Sequence, residues 1–167
     1  MHQCPPGVTK INEAVKIVAQ IPDVQIYEVY SSFAWNFEQS TGGIIHYDDN
    51  TKDVLEIDLH VRGEKILLVT EIIRVFGEPT SVVEGWCSVM CFHGLFYKDK
   101  GMLLLRDAKS TDSIKNIMEI TPETRVLEIT LLPSPLPDWV SQYPLNSWRK
   151  TSMIEWKGYA LYDFSGE

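Results

Sequence analysis

No apolar run in these 167 residues approaches the roughly 18 that a helix needs to cross a bilayer, so the chain carries no helical membrane span. Basic clusters are missing too. The 15 Lys and Arg are scattered among 23 Asp and Glu, which argues against a nucleic-acid groove or a surface for anionic lipid. A net charge of -8 serves solubility instead. Cysteine is sparse: Cys4, Cys87 and Cys91 are an odd count that cannot all pair within one chain. No G-x-S-x-G elbow, P-loop or dinucleotide fingerprint occurs, and Gly42-Gly43 reads as a bulge and not a phosphate cradle. The opening Met1-His2-Gln3-Cys4-Pro5-Pro6-Gly7 lacks the basic and apolar regions of a signal peptide, which leaves a cytoplasmic protein or one whose signal was removed.

Apolar residues make up 44% and charged residues 23%, a globular balance, and a chain of this length buries about two thirds of its unfolded surface in one domain. Ile11, Ala14, Val15, Val18 and Ile21 recur at helical spacing between a Thr9 cap and the Pro22 stop, predicting a helix over about Lys10 to Gln20. Residues 24–37 alternate with period two as one long or bent strand, or two divided at Ser31-Ser32. Ile44 to Tyr47 and Val54 to Val61 then form a hairpin about Asp48-Asp49-Asn50. A second helix follows on Val69, Ile72, Ile73 and Phe76, ended by Gly77 and Pro79. Strands at Val82-Val83, Val89 to Tyr97, Met102 to Leu105 and Val126 to Leu132 complete the series. The stretch Asp107 to Ile120 fits either a short helix on Ile114, Ile117 and Met118 or an irregular segment.

Val54-Leu55-Glu56-Ile57-Asp58-Leu59 and Val126-Leu127-Glu128-Ile129-Thr130-Leu131 agree at five of six positions, each closing a segment that opened with a helix. The expected architecture is α+β: one domain over 1–167, with an antiparallel sheet from two helix-plus-meander halves at about 9–61 and 67–132, and both helices on one face. Residues 133–167 form a Pro-rich and aromatic cover, with a short helix at about Asp138 to Gln142, whose rings wrap back over the sheet.

The pattern Val69-x-x-Ile72-Ile73-x-x-Phe76-Gly77-Glu78-Pro79, then Leu95-Phe96-Tyr97-x-x-x-Gly101-Met102-Leu103-Leu104, resembles a family of uncharacterised bacterial secreted proteins. More remotely it resembles the modules of beta-lactamase inhibitory protein and the small outer-membrane-assembly lipoproteins. The opening Cys4-Pro5-Pro6-Gly7-Val8-Thr9 and the tail Trp156-Lys157-Gly158-Tyr159 share the first likeness. The resemblance implies a secreted or cell-surface module that binds proteins and catalyses nothing; a cytoplasmic placement stays open.

Candidate chemistry is thin. On one strand, Cys87 and Cys91 stand about 13 Å apart at roughly 3.3 Å per residue, too far for a shared metal or a disulfide unless the chain turns near Ser88. A Cys87–Cys91 bridge, a bridge from Cys4 to either, and free thiols are the alternatives. Cys91 with His93 lacks a third group, and His46 and His60, near Asp48, Asp49 and Asp58, read as exposed strand positions beside an acidic turn. No metal or cofactor is expected. The aromatic surplus points to an unidentified protein partner met by Phe33, Trp35, Phe37, Tyr97 and Trp156, provided that the face shared by the first three turns away from the helices. The alternatives are a small-molecule or metal-dependent enzyme using Cys91, His93 or the His46 and Asp48 region, and a structural domain of an envelope assembly.

Overall fold

A computed structural model of the chain describes residues 5–37, 41–61, 66–85, 92–106, 117–133 and 151–165. The three cysteines, the helix expected at 138–142 and Trp148 lie outside the described residues. Helix α1 covers Ile11–Val18, and Lys10, not Thr9, occupies its N-cap without a side-chain bond. The Thr9 hydroxyl donates instead to the Pro5 carbonyl at 2.9 Å, closing a turn in which Gly7 takes φ +83°. Helix α2 covers Val69–Phe76, and the Glu71 carboxylate accepts the Leu68 N–H at 3.1 Å, satisfying a donor the first turn leaves free. Gly77 at φ +82° ends it, as the sequence predicts. At eight residues each, neither helix would persist alone in water, so packing of the apolar stripe holds both.

The strands are β1 (Gln25–Glu28), β2 (Ser32–Phe37), β3 (Thr41–Tyr47), β4 (Val54–Val61), β5 (Leu67–Leu68), β6 (Ser81–Gly85), β7 (Phe92–Tyr97), β8 (Met102–Arg106), β9 (Ile117–Glu119), β10 (Arg125–Leu131), β11 (Thr151–Glu155) and β12 (Leu161–Asp163). Ten strands join one sheet in the order β1-β2-β3-β4-β10-β8-β7-β6-β11, with β5 beside β10, while β9 and β12 pair separately. All named pairings are antiparallel. The α+β class with an antiparallel sheet is therefore as expected.

Register turns the alternating strands into continuous rows. One row runs Ile26, Trp35, Gly43, Leu59, Ile129, Leu104, Leu95, Val82, Ile154, each residue opposite the next on the neighbouring strand. Paired residues share a face, so this apolar row defines the side on which the helices lie. Helix α1 packs Ile11 and Ala14 there against Trp35, Ile45, Tyr47, Val54 and Ile57. Helix α2 packs Val69 and Ile72 against Val82, Leu95, Tyr97, Leu104 and Val126, and Leu131 touches both clusters. The row one residue over, Tyr27, Ala34, Ile44, Asp58, Thr130, Leu103, Phe96, Ser81, Glu155, belongs to the opposite face.

Of the readings of residues 24–37, the divided one holds: β1 and β2 separate at 29–31, because Tyr30 takes φ +52° and the Val29 N–H closes onto the Ser32 carbonyl at 2.9 Å. Ile117 and Met118 belong to strand β9, not a helix: Met118 and Ile120 are buried while Glu119 is exposed, a period of two. The C-terminal stretch is regular where described, with β11 extending the sheet along β6 and β12 pairing β9. Its Tyr162 and Phe164 are buried in the α2 cluster, and Trp156 packs against them.

Candidate functional site

The four aromatic candidates whose side chains are described do not assemble on a surface. Trp35 is only 7% exposed and lies under α1, and Tyr97 is buried beneath α2 with its hydroxyl donating to the Gly77 carbonyl at 2.9 Å. Burial raises the Tyr97 pKa to about 12, with lesser contributions from Tyr159 and Glu78. Phe33 is half-buried on the same face as Trp35, 5.9 Å from the Tyr47 ring centroid. Trp156 is half-buried, stacked on Tyr162, with its Nε1 turned inward and unbonded. Phe37 ends β2, and its side chain lies outside the described residues. The face shared by Phe33 and Trp35 points toward the helices, because its cross-strand partners Ile45 and Gly43 continue the apolar row. Trp35 and Tyr97 are core, which corrects their assignment as partner contacts, and Phe33 and Trp156 pack half-buried against the same clusters.

His93 is also interior. It is fully buried on the helix face, its Nε2 3.0 Å from Glu84 Oε1 on the paired strand and its ring stacked on Phe164. Asp48 serves the β3–β4 turn, accepting the Asn50 and Thr51 N–H groups at 2.8 and 2.7 Å. Those bonds hold its carboxyl below the usual range.

The polar chemistry collects on the face opposite α1 and α2, where β2, β3, β4 and β10 run side by side. Ser32 Oγ is 2.8 Å from His46 Nδ1, and His46 Nε2 is 3.2 Å from Asp58 Oδ2. Thr130 Oγ1 donates to Asp58 Oδ1 at 2.8 Å and lies 3.4 Å from Glu128 Oε1, whose Oε2 is 3.2 Å from His60 Nε2. Glu56, opposite His46 in register, is 5% exposed. Burial raises its pKa to about 8, helped by the charge of Asp58, a hydrogen bond to Asp58 and the charge of Glu128. Near neutrality Glu56 therefore carries a proton.

This chain of groups was legible only in part. His46, His60 and Asp58 were singled out as near one another, but Ser32, Glu56, Glu128 and Thr130 were not. The missing signal was register: positions alternating on β2, β3, β4 and β10 share a face only once the pairing is known, and a bulge at His46/Tyr47 shifts it. Among the described residues, no group of three or more His, Cys, Asp or Glu is placed to hold one metal ion, and no helix is long and apolar enough to cross a membrane. In comparisons with known proteins, the chain matches no protein family, no curated protein and no solved structure.

Proposed function

We propose that the chain is an extracytoplasmic protein-binding module whose partner docks along the β1 edge and the β1–β2 turn. One observation carries the reading: Tyr27 on the edge strand β1 is 45% exposed, and Val29 and Tyr30 in the turn that follows it are 43% and 95% exposed. Tyr30 also holds a left-handed backbone at φ +52°, which costs energy in a tyrosine and is retained at recognition sites. Rings that bury area at low entropy cost are the usual anchors of an interface. Tyr27 is braced as well, its hydroxyl accepting from Asn36 Nδ2 at 3.1 Å. Among the described residues β1 pairs only with β2, so its outer edge can accept a further strand. Placement outside the cytoplasm rests on the resemblance of the Cys4-Pro5-Pro6-Gly7 opening.

The same proposal includes an origin by duplication. Its support is that the two matching hexapeptides are neighbours at the centre of the sheet, where Asp58 faces Thr130, the residue in the same place of the other hexapeptide. Capture from lysates of the source cells tests the binding reading. The Tyr27→Ser, Tyr30→Ser double variant is expected to retain its Tm within about 2 °C, since exposed substitutions change stability by less than roughly 0.5 kcal/mol. Its partner yield should fall at least about tenfold, the loss of one or two interface anchors. Equal capture by the variant and the parent would refute the β1 edge as the contact.

A further inference from the structure

We infer that Ser32 is an activated nucleophile, and that the face of β2, β3 and β4 opposite α1 and α2 carries an acyl-transfer site for carboxylic esters with Ser32, His46 and Asp58 as its working groups. The inference departs from the non-enzymatic expectation drawn from the sequence and stands apart from the β1 edge.

Hydrogen-bond direction supplies the first argument. Asp58 Oδ2 can only accept when ionised, so His46 Nε2 carries the proton between them and Nδ1 is left as the acceptor. Ser32 Oγ, 2.8 Å from Nδ1, must then donate. That is the polarity required of a nucleophile, a base and the group that orients the base. In the familiar Ser-His-Asp arrangement the opposite ring nitrogens face serine and carboxylate. Either orientation leaves one ring nitrogen free to take the serine proton and give it back, while the carboxylate holds the N–H of the other. Asp58 is fixed in turn by the Thr130 hydroxyl on its other oxygen, which makes Thr130 a positioning residue.

Placement supplies the second. The three groups stand on adjacent paired strands, with Ser32 directly opposite His46, so the backbone ladder sets their spacing. The His46 side chain is 31% exposed and that of Asp58 12%, and Ser32 is half-buried. An ester can therefore approach the serine and the base from solvent while the carboxylate lies below. Ser31, one residue away, is engaged differently, its hydroxyl donating to Asp49.

The chemistry balances without an external oxidant or reductant. Ser32 Oγ bonds to the acyl carbon as its proton passes to His46 Nδ1. The ester C–O bond breaks, and the same proton leaves with the alcohol. Water then attacks the acyl-serine, with His46 taking its proton and returning it to Ser32, and a carboxylic acid departs.

The test treats the full chain with p-nitrophenyl acetate, follows nitrophenolate release, and maps acetylation by peptide mass spectrometry. Ser32 is expected to acetylate at least about 100-fold faster than Ser31, the range a positioned base contributes. Ser32→Ala should remove that label. His46→Gln should lower the Ser32 rate about 100-fold, and Ser31→Ala should leave it unchanged. Asp58→Asn and Thr130→Val should slow it and alter its pH profile, a readout that a purely structural role would not move. The comparison of Ser32 with Ser31 is made in the unmodified protein, which keeps the test decisive if His46→Gln fails to fold. Ser32 acetylating no faster than Ser31, or a Ser32 rate indifferent to His46→Gln, would overturn the inference.

Discussion

Trp35→Ala is expected to lower stability by about 3–5 kcal/mol, a drop in Tm of roughly 10 °C for a chain of this size. The indole is 7% exposed, faces Gly43 on the paired strand, and packs with Ile45, Tyr47 and Ile57 beneath α1. Removing it deletes the largest side chain of that cluster, and the rigid sheet below cannot collapse to fill the space. The complementary change, Gly43→Ala, should also be severe. A methyl group there would lie 2.2 Å from the Asp58 carbonyl oxygen and 2.5 Å from the Trp35 ring, so strand and indole would both have to move. The cost should be about 2 kcal/mol or more, within the range for overpacking a filled core. Thermal and urea unfolding of both variants check this. If Trp35→Ala melted with the parent, the residue would be a surface contact after all and the fold assigned to β2 would be wrong.

The second large effect is one of pH. Glu56 has its pKa raised to about 8 in the folded chain against 4.5 when free, so from about pH 4.5 to 8 the folded state holds a proton that the unfolded state has lost. Its contribution is complete below pH 4.5, declines as pH rises, and is gone once the folded carboxyl ionises near 8. The whole swing is on the order of 5 kcal/mol at about 1.4 kcal/mol per unit. Glu56→Gln keeps the shape and donor of the protonated acid and cannot ionise. The variant should therefore be the more stable of the two at pH 8–9, and should lack the part of the parent's decline above pH 5 that Glu56 causes. Asp48, Asp53 and Asp163 act the opposite way: their pKa values are lowered, chiefly by hydrogen bonds, so their contribution is lost as pH falls below 4. The two windows do not overlap. Parallel stability profiles for parent and variant from pH 5 to 9 would show that Glu56 ionises freely.

Most of the architecture was legible because it depends on period and punctuation. Gly77 and Pro79 ended α2, Gly101 at φ +57° closed the β7–β8 turn, and alternation placed Phe33 and Trp35 on one face. Which face that was depended on Ile45 and Gly43 across the strand, and a strand does not carry its neighbour's register in its own residues. β9 was hidden for a related reason: three residues are too few for a period, and Ile117 with Met118 fits a helix as well as a strand until Glu119 is seen exposed between buried neighbours. The Ser32, His46 and Asp58 grouping combines both difficulties, since three separately unremarkable positions meet only through two registers and a bulge.

The hydrogen bond from Thr130 to Asp58 joins residues 72 apart in the chain. During folding, β1 to β4 and β6 to β8 can each zip from hairpin contacts, but β4 and β8 each keep an open edge until β10 arrives to fill both. Long-range pairing of this kind is slow, because loop closure precedes any gain in contact energy. The interval before β10 docks is when this chain is most exposed to edge-to-edge aggregation, and a nascent chain on the ribosome remains in that interval until residue 131 has emerged.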